Sequence, residues 1–366
     1  MMKTSVFNKK AIVLFLAVIH ITMNAAGQEA EKTMEKLFPL TGKASLEIEN
    51  RYGSIDIRNW DKDEISIEVQ VKVTASKQET ADRQLSYIEV NFSQQENAVS
   101  AVTEIDQRIS RQRSGWFSSG DNGQNISIDY TVYAPRETDL NITHRYGDIF
   151  INEATGHTFI DLRYGNLLAN SIIRNNTRPL SEINLAYSTK ATITEAEWLQ
   201  VNMRYSDLVV NRCQALVVSA SYSKLRVDQA SSVVSESRYG EFNMGEIRNF
   251  VTESAYTNYS INKIEGTLDV ESKYGNVRID NIPADFSKIR FISTYGNLHA
   301  GIDPRASYTI ESSASYGSVN IPDEEKVNRI ASGRQTTLSG VVGTDAQPDA
   351  TVEISIRYGN ADLRGR

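Results

Sequence analysis

Apolar and polar residues alternate along most of the chain, and a recurring tyrosine organises the alternation. Twelve tyrosines, each followed by Gly, Ser or Thr, recur at the same phase of this alternation. From Tyr146 to Tyr316 successive copies are 17 to 23 residues apart, which indicates an internal structural repeat. The copies begin at Tyr52, Tyr146, Tyr164, Tyr187, Tyr205, Tyr222, Tyr239, Tyr256, Tyr274, Tyr295, Tyr316 and Tyr358.

Each copy has the same pattern on both sides of its tyrosine. The positions three and five residues after the tyrosine are apolar in eleven of the twelve copies, and those two, four and six residues before it are mostly apolar or small. The Tyr187 copy alone is displaced by one residue. Alternation with period two is typical of β-strands, so each copy predicts two short strands joined at a tyrosine corner. The same parity predicts that the tyrosines point inward and pack in the core.

A unit this short cannot bury its own apolar face, so the copies must stack on one another. The sequence therefore predicts an all-β fold, a parallel β-solenoid of about twelve coils. A long antiparallel meander remains as an alternative, but it gives no reason for one residue type to recur at one phase. β-propellers and leucine-rich repeats need longer blades or a recurrent Leu and Asn pattern that this sequence lacks.

The segment between the first two tyrosines departs from the period. Longer alternating stretches at 65–73, 85–92, 98–105 and 126–133, with a short helix at 77–83, predict an antiparallel insert that caps the solenoid. Trp116 and Phe117 lie in a polar, glycine-rich stretch and are candidate contact residues at a loop tip. The predicted organisation is a signal peptide at 1–27, a linker at 28–43, a first coil at 44–59, the insert at 60–135 and solenoid repeats at 136–366.

The first 27 residues have the order of a secretory signal peptide. Three lysines precede an apolar run from Ala11 to Met23 that is too short to span a bilayer, and small residues follow it. We therefore expect export, with the mature chain periplasmic, on the cell surface or secreted, and without a transmembrane segment. Because the only cysteine, Cys213, lies far downstream, we expect neither a lipid-bearing cysteine nor an intrachain disulfide.

The net charge and the absence of known motifs exclude several classes of partner and cofactor. After the signal region the chain carries 36 basic and 46 acidic side chains, which argues against nucleic acid and anionic lipid as partners. The sequence has no phosphate-binding glycine motif and no calcium-binding nonapeptide, and the histidines outside the signal lack metal-ligand spacing with one another. We therefore expect no cofactor and no metal, and no catalytic residues can be named.

Charged residues flank the tyrosines. The preceding residue is Arg or Lys in seven copies, and an acid stands three before the tyrosine in five. Parity places both outward, so we expect an exposed ladder of ion pairs, with Glu253 unmatched as a candidate cation or ligand site. The candidate binding residues are Glu236, Arg238, Glu253, Glu271 and Lys273, together with Trp116 and Phe117.

The repeats Arg51 to Ile57 and Arg145 to Ile151, both Arg-Tyr-Gly-x-Ile-x-Ile, and the stretch from Ile126 to Pro135 resemble a bacterial putative adhesin family. The resemblance implies an exported envelope protein of β-strand repeats, and it assigns no site residues. The sequence thus predicts a non-enzymatic binding or scaffold module whose partner is an envelope or surface polysaccharide or protein. A carbohydrate-active β-helix enzyme and a ligand-free structural periplasmic protein remain as alternatives.

Overall fold

The computed structural model describes residues 17–18, 28–108 and 125–364, and it is all-β with one short helix in that part of the chain. The helix, α1, is Gln78–Leu85. The strands are β1 Ala17–Val18, β2 Gln28–Pro39, β3 Ser45–Arg51, β4 Ile55–Asn59, β5 Glu64–Ala75, β6 Ile88–Gln95, β7 Ala98–Ile105, β8 Asn125–Ala134, β9 Asp139–Arg145, β10 Ile149–Ala154, β11 Thr158–Arg163, β12 Leu167–Ile172, β13 Ser181–Ala186, β14 Ala191–Arg204, β15 Asp207–Ser221, β16 Lys224–Lys273, β17 Val277–Ile282, β18 Lys288–Thr294, β19 Leu298–Ile302, β20 Tyr308–Ser315, β21 Ser318–Asn320, β22 Val327–Ser332, β23 Gln335–Val342, β24 Thr351–Arg357 and β25 Asn360–Asp362.

The strands stack in two parallel ladders that meet at the tyrosines. We call the strands that end just before a tyrosine the front ladder, and the strands that begin after it the back ladder. In the front ladder β9, β11 and β13 pair in parallel, and in the back ladder β4, β10 and β12 do the same. From β14 to β16 the chain runs without a break from the back ladder of one coil into the front ladder of the next. The β-solenoid-like architecture expected from the repeat is therefore present.

The inward residues of both ladders form one continuous hydrophobic core that extends from Phe38 to Leu363. Burial follows the predicted alternation; in β24, for example, Val352, Ile354 and Ile356 are buried and their neighbours are exposed. Complete burial of such aliphatic side chains stabilises a fold by about 1.5–3 kcal/mol each. Packing along the whole length of the stack therefore holds the chain together.

The prediction that the tyrosines point into the core is wrong. Each of the twelve tyrosines adopts a left-handed backbone conformation, with φ between +50° and +77°, and eleven of the side chains are exposed while Tyr52 is half-buried. Parity holds only along continuous extended backbone, and a residue with positive φ rotates its Cβ out of that alternation. The tyrosine itself therefore makes the turn, and its ring points to solvent.

At the N-terminal end of the stack, β7 and β8 pair in parallel with the two ladders, and further strands pair antiparallel with β7 and β8. Residues 28–39, expected to be part of a linker, form β2, which pairs antiparallel with β5 along its whole length. β5 in turn pairs antiparallel with β8, which joins the back ladder through β4, and the β6–β7 hairpin joins the front ladder through β3. Trp116, Phe117 and most of the 1–27 segment lie outside the described residues.

The C-terminal end differs from the simple continuation that the spacing suggests. The gap of 42 residues before Tyr358 holds the antiparallel hairpin β22–β23, which pairs with β20 and ends the front ladder. The last repeat then turns back into the stack: β24 lies between β18 and β20, and β25 lies between β19 and β21. The repeat formed by β24 and β25 therefore lies inside the stack, one coil before its end.

Cys213 offers a test of how tightly the core is closed. Its side chain is 7% exposed, and burial raises the pKa of the thiol to about 12. Since the thiolate is the reactive form, we expect no reaction with Ellman's reagent at pH 8 in the folded protein and one equivalent after denaturation. Rapid reaction under native conditions would contradict this closed core.

Candidate functional site

The exposed tyrosine rings stack into one continuous ladder along the edge where the front and back ladders meet. Consecutive ring centroids are 4.7–5.5 Å apart. The ladder follows the order of the coils and not the order of the chain, because Tyr358 stacks between Tyr295 and Tyr316. Each inner ring therefore has a neighbour on both faces, and it presents to solvent only its edge and its hydroxyl group.

Arginines cover further ring surface. The guanidinium of Arg51 lies 5.1 Å from the ring centroid of Tyr52 and 5.6 Å from that of Tyr146. At the C-terminal end Arg334, in the turn of the capping hairpin, lies 5.1 Å from the centroid of Tyr316. A saccharide that binds an aromatic residue uses the open face of the ring. The tyrosine ladder is therefore suited to polar contacts through its edge and not to sugar stacking.

A column of cations runs beside the tyrosine ladder on the front ladder, at the residue before each tyrosine. From Arg163 onward, cationic and small or uncharged residues alternate from coil to coil. Because coils are ~4.8 Å apart, a positive charge recurs about every 10 Å. In the order of the coils the residues are Arg163, Ala186, Arg204, Ser221, Arg238, Ala255, Lys273, Thr294, Arg357 and Ser315.

Of the ion pairs expected for this column, Arg163 with Asp161 forms at 3.2 Å, but those of the later coils do not form in the predicted way. Arg238 and Lys273 make no ion pair within 4.0 Å in the described part of the chain, and neither do Glu236 and Glu253. Glu271 faces Arg290 instead, at 3.8 Å. Arg290 comes from the next coil and holds Asp269 at 2.7 Å and Glu353 at 3.8 Å, so it is the cation that organises these acids.

No cluster of metal-ligating side chains accompanies Glu253. Among the residues that the structure describes, no three or more His, Cys, Asp or Glu side chains converge on a point that could hold a metal ion. The cation-site hypothesis for Glu253 therefore gains no second ligand from the fold, and Glu253 stays a predicted contact residue on the front ladder.

A shallow depression of about 710 Å³ opens on the front ladder where the cation column first loses a charge, at Ala186. Arg145, Arg163 and Arg204 stand around it, and Asn184 and Asn202 line it with the exposed edges of three tyrosines. We call this site the arginine depression. Asp161 is its single acidic lining residue.

The charges of the arginine depression favour an anion. Asp161 is engaged by Arg163 at 3.2 Å, whereas Arg145 and Arg204 form no ion pair with any described residue. The Asn202 amide donates hydrogen bonds to the Asn184 side-chain oxygen at 2.8 Å and to the Glu182 carboxylate at 3.1 Å, and this orients the Asn184 amide beside it. Two uncompensated guanidinium groups next to the amide donors of Asn184 are suited to bind carboxylate, sulfate or phosphate oxygens.

The binding residues predicted from the sequence lie on the same ladder as the arginine depression but outside it, and they stay predictions. Glu236, Arg238, Glu253, Glu271 and Lys273 lie along the front ladder as expected, but none of them lines the arginine depression. The signal was present in the sequence as the interruption of the Arg-Tyr pattern at Ala186. Reading that interruption as a site requires knowing that the tyrosines are exposed.

The family model for Toastrack DUF4097 matches residues 43–364. The chain belongs to this family. The membership confirms the resemblance to a putative adhesin family that the Tyr-Gly repeats suggested. None of the curated proteins compared with the chain matches it. No helix in the described part of this Toastrack chain is long and apolar enough to cross a membrane.

Three solved structures are similar to this Toastrack chain at low identity. A putative cell adhesion protein from Clostridium sporogenes is 10% identical, with 92% of this chain and 100% of that chain covered and a TM-score of 0.17. A putative lipid binding protein from Parabacteroides distasonis is 8% identical, with 91% and 97% covered and a TM-score of 0.35. A putative adhesin from Bacteroides fragilis is 8% identical, with the same coverage and a TM-score of 0.26.

Proposed function

We propose that this Toastrack protein is a non-enzymatic binding module of the bacterial cell envelope that engages an extended acidic polysaccharide along its front ladder. The observation that carries the proposal is the arginine depression, where Arg145 and Arg204 are exposed without an acidic partner beside an unbroken row of tyrosine hydroxyl groups. Carboxylates on the polymer would accept hydrogen bonds from these guanidinium groups, and sugar hydroxyls would bind the amides and phenols.

The repeat explains how a shallow surface can bind a polymer. Each exposed contact is weak on its own, because water and salt screen it. Cations recur every second coil along a rigid stack, however, so an extended polymer that meets one of them is held near the next. A chain of acidic sugars can satisfy several of these positions at once, whereas a small monovalent anion can satisfy only one.

The location in the envelope is part of the same proposal. It is supported by the three lysines and the apolar run of residues 1–27, which have the composition of a secretory signal peptide, and by membership of the Toastrack family. We propose that the exported chain presents its front ladder to polysaccharide in the periplasm or at the cell surface.

The test is retention of the purified protein on immobilised polygalacturonate and on uncharged dextran, at low and high salt. We expect saturable retention on polygalacturonate alone, which weakens as salt screens the charges. The Arg145→Ala/Arg204→Ala double variant removes the two guanidinium groups without an acidic partner, each worth about 0.5–1 kcal/mol at an exposed site, so its affinity should fall about five- to thirtyfold.

The matched control is Arg226→Ala/Arg278→Ala, which removes the same net charge from exposed back-ladder positions that pair with Asp228 and Asp280. Equal losses in both double variants would show that only net charge matters and would refute the proposed site. Failure to bind any acidic polymer would favour the ligand-free structural role. Release of sugar fragments from the polymer would show that the protein is an enzyme.

A further inference from the structure

Two adjacent apolar side chains are exposed on the outward side of the back ladder, away from the tyrosine ladder. Phe150 on β10 and Leu168 on β12 are direct neighbours in the parallel register, and their side chains are 38% and 44% exposed. The adjacent coils continue the row with the polar residues Asp56 and Thr192. No described ring or cation stacks on Phe150, so its ring is uncovered, in contrast to the inner tyrosines.

A row of side-chain amides runs beside this exposed apolar pair. Asn170 donates a hydrogen bond of 3.2 Å to the side-chain oxygen of Asn152, and Asn152 donates one of 3.2 Å to that of Asn59. Each of these two donors uses one N–H in the row and keeps a second N–H. The row therefore offers regularly spaced hydrogen-bond donors along one side of Phe150 and Leu168.

An aromatic wall closes another side. Tyr133 stacks on Trp60 with ring centroids 5.4 Å apart, and the Arg58 guanidinium donates a hydrogen bond of 3.1 Å to the Tyr133 hydroxyl. Arg58 also forms an ion pair of 2.7 Å with Asp56. Tyr133, Arg58 and Asp56 line a depression of about 630 Å³ together with Phe150, Leu168 and the amides, and its two charged residues neutralise each other.

We infer that this back-ladder depression is a second binding site, for a neutral saccharide. A pyranose ring has an apolar C–H face that packs on an uncovered aromatic or aliphatic surface, which Phe150 and Leu168 supply. Its hydroxyl groups both donate and accept hydrogen bonds, as the amides of Asn152 and Asn170 do. The internal Asp56–Arg58 ion pair leaves no net charge that would select an acidic sugar, unlike the arginine depression.

The experiment is calorimetric titration of the purified protein with three uncharged probes: cellohexaose, laminarihexaose and chitohexaose. We expect saturable binding of at least one. Phe150→Ala and Asn170→Ala should each weaken it at least tenfold, while Phe150→Trp, which keeps a ring, should retain it. Val234→Ala is the matched control, because it shortens an exposed apolar side chain on the front ladder.

Outcomes at this site are separable from those at the arginine depression. The Arg145→Ala/Arg204→Ala variant should bind the neutral probe unchanged, so either site can fail without the other. Because Phe150 and Asn170 point outward, thermal unfolding of their variants should match that of the parent protein. Absence of binding to all three probes, or binding that survives both alanine substitutions, would overturn the inference.

Discussion

Gly165→Ala is expected to destabilise the protein by about 3 kcal/mol or more, although it adds a single methyl group. A Cβ built on Gly165 would lie 1.8 Å from the carbonyl oxygen of Gly147 in the neighbouring coil. That neighbour is backbone, so relief requires the two coils to move apart. Their separation would break strand pairing and also the stacking of Tyr146 on Tyr164, whose centroids are 5.0 Å apart.

Gly240→Ala is the matched control, at the same motif position. Its Cβ would lie 3.1 Å from the Ser223 carbonyl oxygen, and the coils on either side already carry Ser223 and Thr257 at this position. We therefore expect a cost of about 1 kcal/mol or less. Because long repeat stacks need not unfold in one step, both variants should be compared by urea unfolding and by local amide exchange. Equal effects would contradict the close approach of the coils at Gly165.

The parts of the fold that follow from alternation were predictable from the sequence. Residues such as Ile149 and Leu167 lie three positions after a tyrosine, and both are buried in register, as the pattern requires. The orientation of the tyrosines was not predictable by parity, because their positive φ interrupts the extended backbone on which parity depends. Tyrosine in this conformation is uncommon, since only glycine adopts it without a steric cost.

Predicting the arginine depression from the sequence required knowing that the tyrosines point outward. An inward tyrosine would leave Arg163 and Arg204 as ordinary exposed charges, whereas outward tyrosines add a wall of hydroxyl groups beside them. The back-ladder site was harder to find, because Tyr133 and Phe150 come from different parts of the chain and meet only when β8, β4 and β10 pair. The spacing of residues along the sequence therefore does not predict that these two side chains lie close together.

The periodicity of the sequence also could not predict where the last repeat lies in the stack. A count of residues gives the same period whether a repeat extends the stack or enters it. Here the loop from Ile302 to Tyr308 carries the chain past one coil, and β24 fills the space that is left. The capping hairpin then occupies the outer edge of β20, so the inner position is the one at which β24 finds two parallel partners.

Deletion of residues 346–366 is therefore expected to disorder the C-terminal end of the stack, far beyond the repeat removed. It leaves β18 and β20 without the strand that joins them, and it removes the ring of Tyr358 between Tyr295 and Tyr316. Amide exchange should accelerate in β20 to β23, while the coils from β9 to β15 keep their protection. A terminal repeat that merely extended the stack would leave β20 protected when deleted.

Two substitutions in the full chain test the same idea without a truncation. Ile354→Ser places a hydroxyl and a void at a side chain that is 1% exposed, at a cost of about 3–5 kcal/mol. Ile330→Ser, in the capping hairpin, alters a side chain that is 57% exposed and should change stability by no more than about 0.5 kcal/mol. Because β24 holds the last coil to the rest of the stack, Ile354→Ser should release β20 and the hairpin before the remaining coils unfold. A single concerted transition in this variant would instead mean that contacts other than those of β24 hold the last coil to the stack.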